Sequence, residues 1–171
     1  MIETDRLRFR PFALEDLPLL IEQRSDPDMY RYLGGTRRQN PEELAKRIQF
    51  YISCFETHGF AMCPMILKET GEIIGGAGLQ PLEESGEVEV GYNLIKEYWG
   101  RGIGTEAARA WLDHGFRDLG LDRIVAVAHP DNIASRRIME KLGLRYEKTQ
   151  EHYGEMCVFY AISADEYLAG K

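Results

Sequence analysis

The sequence predicts one α+β domain spanning residues 1–171. Three observations lead there. Runs that alternate apolar and polar residues, the mark of half-buried strands, recur along the chain. Between them lie stretches with apolar residues at helical spacing. At 87–129 a strand, a glycine-rich loop, a helix and a β-branched run follow one another as a βαβ unit. The expected sheet is mixed and twisted, with about six to seven strands and about four flanking helices.

Composition narrows the functional classes. A chain of 171 residues, 44% hydrophobic and 29% charged, suits a single globular core. Its 28 acidic against 21 basic residues give a net charge of −7, which speaks against nonspecific nucleic-acid binding and fits a cationic partner such as an amine. Cys54, Cys63 and Cys157 form no Cys-x-x-Cys pair and no metal spacing, so reduced thiols in a cytoplasmic protein are expected, each a small buried apolar group. The N-terminus has no apolar signal core, and no run approaches the ~18 apolar residues of a membrane span.

The elements follow in order. A strand is expected over 4–12, with Leu7 and Phe9 on one side and Arg6, Arg8 and Arg10 on a solvated face. A helix over 14–24 carries Leu17, Leu20 and Ile21 and ends at Ser25-Asp26-Pro27. Met29, Tyr30, Tyr32 and Leu33 follow, ahead of Gly34-Gly35. Asn40-Pro41-Glu42-Glu43 opens a second helix: Asn40 caps, Pro41 suits the first helical position, and Glu43 completes a capping box. Leu44, Ile48, Ile52 and Phe55 form its apolar stripe, and His58-Gly59 closes it. His58 is read as a cap or dipole partner.

Strands at 60–67 and 73–82 flank the hairpin turn Glu69-Thr70-Gly71-Glu72. Gly75, Gly76 and Gly78 signal a bulge or the close approach of another segment. The strand at 87–94 places Val88, Val90 and Tyr92 on one face and Glu87, Glu89 and Gly91 on the other, with Gly91 suited to a bulge that splays it from its neighbour. A helix over 106–119 buries Ala108, Trp111, Leu112 and Phe116 and is capped by Gly120. A strand at 123–129 follows. Pro130-Asp131-Asn132 leads into a helix over 134–142 that ends at Gly143. Strands at 144–150 and 156–163 close the chain around Tyr153-Gly154.

The stretch carrying the chemistry is Tyr98-Trp99-Gly100-Arg101-Gly102-Ile103-Gly104-Thr105-Glu106-Ala107. Alternating glycines let backbone N–H groups turn inward, and the helix start adds unpaired N–H groups and the positive dipole end. Together they make an anion cradle suited to phosphate or pyrophosphate. A Walker A loop is excluded because no Lys follows Gly104. A dinucleotide fingerprint fails because Thr105 stands where its third glycine belongs. A glycine turn without a ligand is the plain alternative.

The loop resembles the acetyl-coenzyme A loop of the GNAT superfamily of N-acetyltransferases, Gln/Arg-x-x-Gly-x-Gly/Ala, with Gly102 and Gly104 at its glycines and Trp99 departing from its first position. Trp-Gly-x-Gly followed by Thr-Glu-Ala is similar to the Rim-type branch, which acetylates ribosomal-protein N-termini. So is the opening Thr4-Asp-Arg-Leu-Arg-Phe-Arg-Pro-Phe12. The run from Asn132 through Ser135 to Glu140-Lys141-Leu142-Gly143-Leu144 resembles the second hallmark, Asn-x-x-Ser/Ala then Glu-Lys-Leu-Gly-Phe.

The resemblance implies a GNAT fold whose central parallel strands splay to admit the pantetheine arm. It implies acetyl-coenzyme A as acyl donor, no metal, and direct attack by an amine in a ternary complex. The acceptor would be a protein N-terminus or a small molecule, and the protein a monomer or homodimer. The first two helices would wall the acceptor site, with Tyr30 and Tyr32 as lining or as ordinary packing. Specificity would reside in loops near Tyr30, His58 and Tyr153.

The same resemblance assigns candidate residues. Tyr92, Asn93 and Leu94 fall at the pantetheine contacts. Trp99, Gly100, Arg101, Gly102, Ile103, Gly104 and Thr105 form the cradle. Asn132, at the last helix start, would bridge pantetheine amides with both ends of its carboxamide. Glu89 is either the general base, matching the family's Glu-x-Gly-Tyr, or a surface carboxylate. A backbone N–H near Tyr92 would polarise the thioester. Met139 stands where many members carry an acidic tyrosine, which leaves Ser135 as thiol acid or as a coenzyme A ligand only. It also keeps a noncatalytic acyl-coenzyme A-binding module as the alternative. Arg136 and Arg137 would reach the 3′-phosphate or form a solvated face.

Overall fold

The alternating runs become seven strands: β1 (Leu7–Phe9), β2 (Met62–Leu67), β3 (Ile73–Pro81), β4 (Val88–Leu94), β5 (Arg123–Ala128), β6 (Arg145–His152) and β7 (Glu155–Ser163). They form one sheet in the order β1-β2-β3-β4-β5-β7-β6. This computed structural model describes residues 2–32 and 40–170, so Leu33 and Gly34-Gly35 lie outside the described residues. Six α-helices are described: α1 (Leu17–Arg24), α2 (Pro27–Tyr30), α3 (Pro41–His58), α4 (Ile103–Asp113), α5 (Ile133–Lys141) and α6 (Ala164–Ala169).

β4 and β5 run parallel, while the other neighbouring strands run antiparallel. The parallel pair is in register at Glu89↔Val125. Past that point each strand follows its other neighbour: β4 stays with β3 as far as Gly75↔Leu94, and β5 stays with β7 as far as Ala128↔Val158. The C-terminal half of β4 therefore lines an opening in the middle of the sheet. The expected bulge at Gly91 is corrected: β3–β4 pairing is continuous from Pro81↔Val88 to Gly75↔Leu94. Gly91 instead leaves room for α3-side packing, since a Cβ there would lie 2.9 Å from Met62 Sδ. At Gly78 a Cβ would lie 2.0 Å from the Ala61 carbonyl oxygen, so strand-to-strand approach requires glycine there.

One face of the sheet buries Leu7, Phe9, Leu79, Val90 and Ile124 against Ala108, Trp111 and Leu112 of α4. The other face packs Met62 with Phe12, Leu20, Leu44 and Ile48 of the α1–α3 layer. This sandwich fixes the opening between β4 and β5 from both sides.

Helix boundaries follow local chemistry, with three corrections. Asn40 caps α3 by accepting from Glu42 N–H at 2.8 Å, but Glu43 bonds Lys46 at 3.1 Å instead of closing a capping box. α4 begins at Ile103 rather than 106, because Gly102 in the left-handed region (φ 74) already serves as its N-cap. α6 was not expected, although Ser163 and Glu166 form a reciprocal capping box ahead of it, a signal readable in Ser-Ala-Asp-Glu. Its Tyr167 packs on Phe116, ring centroids 5.0 Å apart.

Candidate active site

Two cavities meet at the opening between β4 and β5. The first, about 430 Å³, is lined by Leu94, Trp99, Gly100, Gly102, Ile103, Gly104 and Thr105 on one side and by Asn132 and Arg137 on the other. The second, about 330 Å³, lies on the α3 side and includes Tyr51, Gln80, Glu89, His152 and Tyr153. Tyr32, Tyr92, Asn93 and Ser135 line both. Those four residues mark the junction.

The cradle is built by the chain's own turn preferences. Gly100 (φ 73) and Gly102 (φ 74) adopt the left-handed conformation that a side chain would strain. The first backward bond of α4 runs from Glu106 N–H to Gly102 O at 3.0 Å. The N–H groups of Ile103, Gly104 and Thr105 therefore open the helix ahead of its hydrogen-bond ladder. Gly104 admits α5 closely, as a Cβ would lie 3.1 Å from Ile138 Cδ1. The N-terminal segment braces the loop: Arg6 pairs with Glu106 at 2.6 Å and donates to the Arg101 carbonyl at 2.9 Å. The Trp99 indole donates to Leu94 O at 2.7 Å, holding the loop against the end of β4.

Every cofactor-contact candidate except Arg101 and Arg136 lines the first cavity. Arg101 lays its guanidinium over the Tyr98 ring, 5.2 Å from the centroid. Arg136 turns toward β7, donating to Tyr160 Oη at 3.3 Å and to Pro130 O at 3.2 Å. Arg137 lines the same cavity. Asn132 spends one lone pair of Oδ1 on the cap of α5, accepting from Ser135 N–H at 3.2 Å, and keeps its amino end and the second lone pair for a ligand. A groove with helix-start N–H groups, an arginine and a carboxamide suits a pyrophosphate with an amide-bearing arm, and so fits coenzyme A.

At the junction the Tyr92 hydroxyl lies 3.1 Å from Ser135 Oγ and 3.1 Å from the Ser135 carbonyl. Burial raises the Tyr92 phenol above its ordinary pKa, so it keeps its proton. Met139, 2% exposed, belongs to the core. A phenol therefore reaches α5 from β4, although the helix itself carries none at the expected position.

Glu89 is 5% exposed, not a surface carboxylate. Its Oε2 accepts from the Tyr153 hydroxyl and, at 3.1 Å, from Gln80 Nε2. Burial, with the Glu89 charge beside it, raises the Tyr153 phenol and keeps it a donor. Gln80 and Tyr153 are functional neighbours the sequence reading missed as partners of Glu89. The local signal was thin: Gln80 sits in a strand and Tyr153 in a turn 64 residues from Glu89. Of the loops expected to shape specificity, Tyr153 lines the second cavity, but Tyr30 and His58 do not. Tyr32 does, its ring 5.5 Å from that of His129.

The cysteines are all buried, and burial pushes the Cys63 thiol up to about 12, which suits a packing role. Among the described residues, no group of three or more His, Cys, Asp or Glu is arranged to hold a metal ion, and no helix is long and apolar enough to cross a membrane.

Comparison with known proteins agrees with this geometry. The Acetyltransferase (GNAT) domain family matches residues 6–145. The uncharacterized N-acetyltransferase p20 of Bacillus licheniformis is 34% identical over 88% of this chain and 85% of its own length. A GNAT-family acetyltransferase structure from Bacillus anthracis superposes with a TM-score of 0.79 at 28% identity, covering 96% of this chain and 99% of its own. RimL, the ribosomal L7/L12 alpha-N-protein acetyltransferase solved with coenzyme A, shares the fold at a TM-score of 0.79 and 20% identity, over 95% of this chain and 97% of its own.

Proposed function

The chain belongs to the GNAT acetyltransferase family, and from that premise we propose how its two cavities divide the work of acetyl transfer. The protein is an acetyl-coenzyme A-dependent N-acetyltransferase. In our reading the 430 Å³ groove takes the donor and the 330 Å³ cavity takes the amine. The observation that carries this is the junction: Tyr92, Asn93 and Ser135 face both, so a thioester and an amine meet beside them.

In the transfer, the amine nitrogen bonds to the thioester carbon and the C–S bond breaks. Glu89 accepts the proton the nitrogen loses. Gln80 and Tyr153 hold its carboxylate in place. The Ser135 hydroxyl, hydrogen-bonded to Tyr92, supplies a proton to the departing sulfur. Exchange with solvent then restores both groups. The helix-start N–H groups of Ile103, Gly104 and Thr105 hold the pyrophosphate, and the free amino end of Asn132 meets the pantetheine arm. The acceptor is a primary amine, on a protein N-terminus or on a small molecule. The noncatalytic alternative raised by Met139 loses its main support, because Tyr92 and Ser135 bring hydroxyls to the same helix.

Calorimetric titration with acetyl-coenzyme A, paired with a primary-amine screen for thiol release, tests the reading. Saturable binding, lost in Gly102→Trp, together with amine-dependent thiol release is expected. Binding without release by any amine would overturn the catalytic roles. Absence of binding would overturn the donor groove.

A further inference from the structure

The second cavity holds two buried polar atoms for which the transfer scheme has no use. Gln80 is 8% exposed and pairs in register with Glu89. A carboxylate only accepts, so the Gln80 amide must present Nε2 to Glu89, which turns Oε1 away. That Oε1 has no hydrogen-bond partner among the described residues. His152 is 5% exposed, and its Nε2 likewise has none. Both residues line the cavity that contains Glu89.

The tautomer of His152 is set by its other nitrogen. Nδ1 lies 3.0 Å from Glu83 Oε2, and a carboxylate there requires Nδ1 to carry hydrogen. In the neutral ring Nε2 then keeps its lone pair. The ring plane is held by stacking on Phe159, centroids 5.8 Å apart at 30°. The other oxygen of Glu83 accepts from Tyr153 N–H at 3.0 Å. Glu83 (φ 50) and Tyr153 (φ 55) are the non-glycine residues with positive φ among the described residues. Strained backbone at two residues bonded to each other, beside one cavity, marks a geometry held for use.

We propose that Gln80 Oε1 and His152 Nε2 form, with Glu89, a seat of hydrogen-bond acceptors for the N–H groups of a primary amine, with Glu83 the positioning residue that fixes the imidazole tautomer. The proposal rests on reading this cavity as the acceptor site. Buried acceptors without donors are uncommon in native proteins, and two beside a carboxylate call for a ligand rich in donors. A primary amine offers two N–H groups when neutral and three when charged. Each N–H removed, as in an N-methyl analogue, leaves one buried acceptor unpaired. Such a loss lowers kcat/KM by roughly 10- to 100-fold.

The test has two arms. In the first, ¹⁵N NMR of the imidazole in the wild-type protein at neutral pH reads the tautomer. A proton on Nδ1 and none on Nε2 is expected, switching toward Nε2–H in Glu83→Gln. A wild-type Nε2–H overturns the proposal without any variant. In the second, kinetics at saturating acetyl-coenzyme A compare a primary amine accepted by the wild type with its N-methyl analogue, in wild type and in His152→Phe. The variant keeps a ring on Phe159. Expected are a KM for the primary amine raised roughly 10-fold or more with kcat within a few-fold, undiminished acetyl-coenzyme A binding, and weaker discrimination against the N-methyl analogue. Unchanged KM and discrimination in a variant that still binds acetyl-coenzyme A overturn the seat while leaving acetyl transfer intact. A wild type that acetylates no amine removes the acceptor reading itself, and the seat with it. If His152→Phe fails to bind acetyl-coenzyme A, the wild-type tautomer decides.

Discussion

Glu89→Gln isolates the proposed proton acceptor from the scaffold around it. The wild-type carboxylate is 5% exposed, with the Tyr153 hydroxyl and Gln80 Nε2 both donating to Oε2. Glutamine keeps the volume and one acceptor oxygen, so the packing persists while the base is lost. A positioned general base contributes about 10²- to 10⁴-fold, or about 3–5 kcal/mol of barrier. We therefore expect kcat to fall by about that factor with little change in acetyl-coenzyme A binding. The residual rate should climb with pH, since an amine already neutral needs the base less. Glu89→Ala behaves differently, because it also removes the acceptor that the Tyr153 hydroxyl and Gln80 Nε2 share, leaving Gln80 Nε2 its longer 3.4 Å bond to Tyr153 Oη. A weakened buried donor costs about 1–3 kcal/mol, which lowers the melting temperature by roughly 2–12 °C in a domain of this size. The assay is thiol release with acetyl-coenzyme A and a primary amine, corrected for thioester hydrolysis, with the acetylated amine identified by mass spectrometry. A Glu89→Gln enzyme within threefold of wild type across the pH range would falsify the assignment of Glu89 as base.

Three further outcomes follow from the same geometry. Ser135→Ala should lower kcat by about 10²-fold or more, and Tyr92→Phe by less, with the larger loss on thioesters whose thiol has a high pKa; equal loss on all leaving thiols in steady-state assays argues against an acid at this position. Asp16 receives two guanidinium bonds from Arg10, both 2.7 Å, and these hold its carboxyl below the usual range against the opposing effect of burial. Its contribution is therefore complete above the unfolded value of about 3.9 and is lost as pH falls through the folded value. Asp16→Asn should cost about 1–3 kcal/mol at neutral pH and progressively less in acid, by urea titration at several pH values; a constant difference contradicts the pairing. Gly78→Ala forces a Cβ to 2.0 Å from the Ala61 carbonyl, a clash with backbone that cannot turn aside. It should lower stability by about 2 kcal/mol or more, and a thermal midpoint within 2 °C of wild type would show that the β2–β3 spacing relaxes freely.

The sheet was legible because each strand announces itself locally. β5 reads Arg-Ile-Val-Ala-Val-Ala, and β6 and β7 flank a Tyr-Gly turn. The residues that line the 430 Å³ groove were legible for the same reason: the glycine loop is one continuous stretch, and Asn132 and Ser135 are three residues apart at the start of one helix. What was not legible depends on partners distant in the chain. Nothing around Gly91 reveals that splaying occurs on the β5 side, where pairing is in register at Glu89↔Val125, and not by a bulge against β3. Arg136 and Arg137 are adjacent and chemically alike, and bonds to Tyr160 on β7 and to the Pro130 carbonyl hold Arg136 away from the groove that Arg137 lines. Likewise only the fold shows that the Asn132 oxygen shares its lone pairs with the cap of α5.

The 330 Å³ cavity shows why this limit is physical. Glu89 and the polar groups bonded to it or to its neighbours come from β4, β3, the loop after β3, the end of β6 and the β6–β7 turn, so no spacing rule connects them. One local sign was nevertheless present. The Tyr153-Gly154 turn has φ values of 55 and 79, a pair that favours Asn-Gly or Asp-Gly. A tyrosine held left-handed costs about 1–2 kcal/mol relative to a relaxed backbone. The turn alone gives no reason for that residue. The hydroxyl on Glu89 and the backbone N–H on Glu83 do. Glu83 carries the same strain and bonds both Tyr153 and His152. A residue that violates its own turn's preference therefore points to a demand made elsewhere in the fold, and here both violations point to the cavity that holds Glu89.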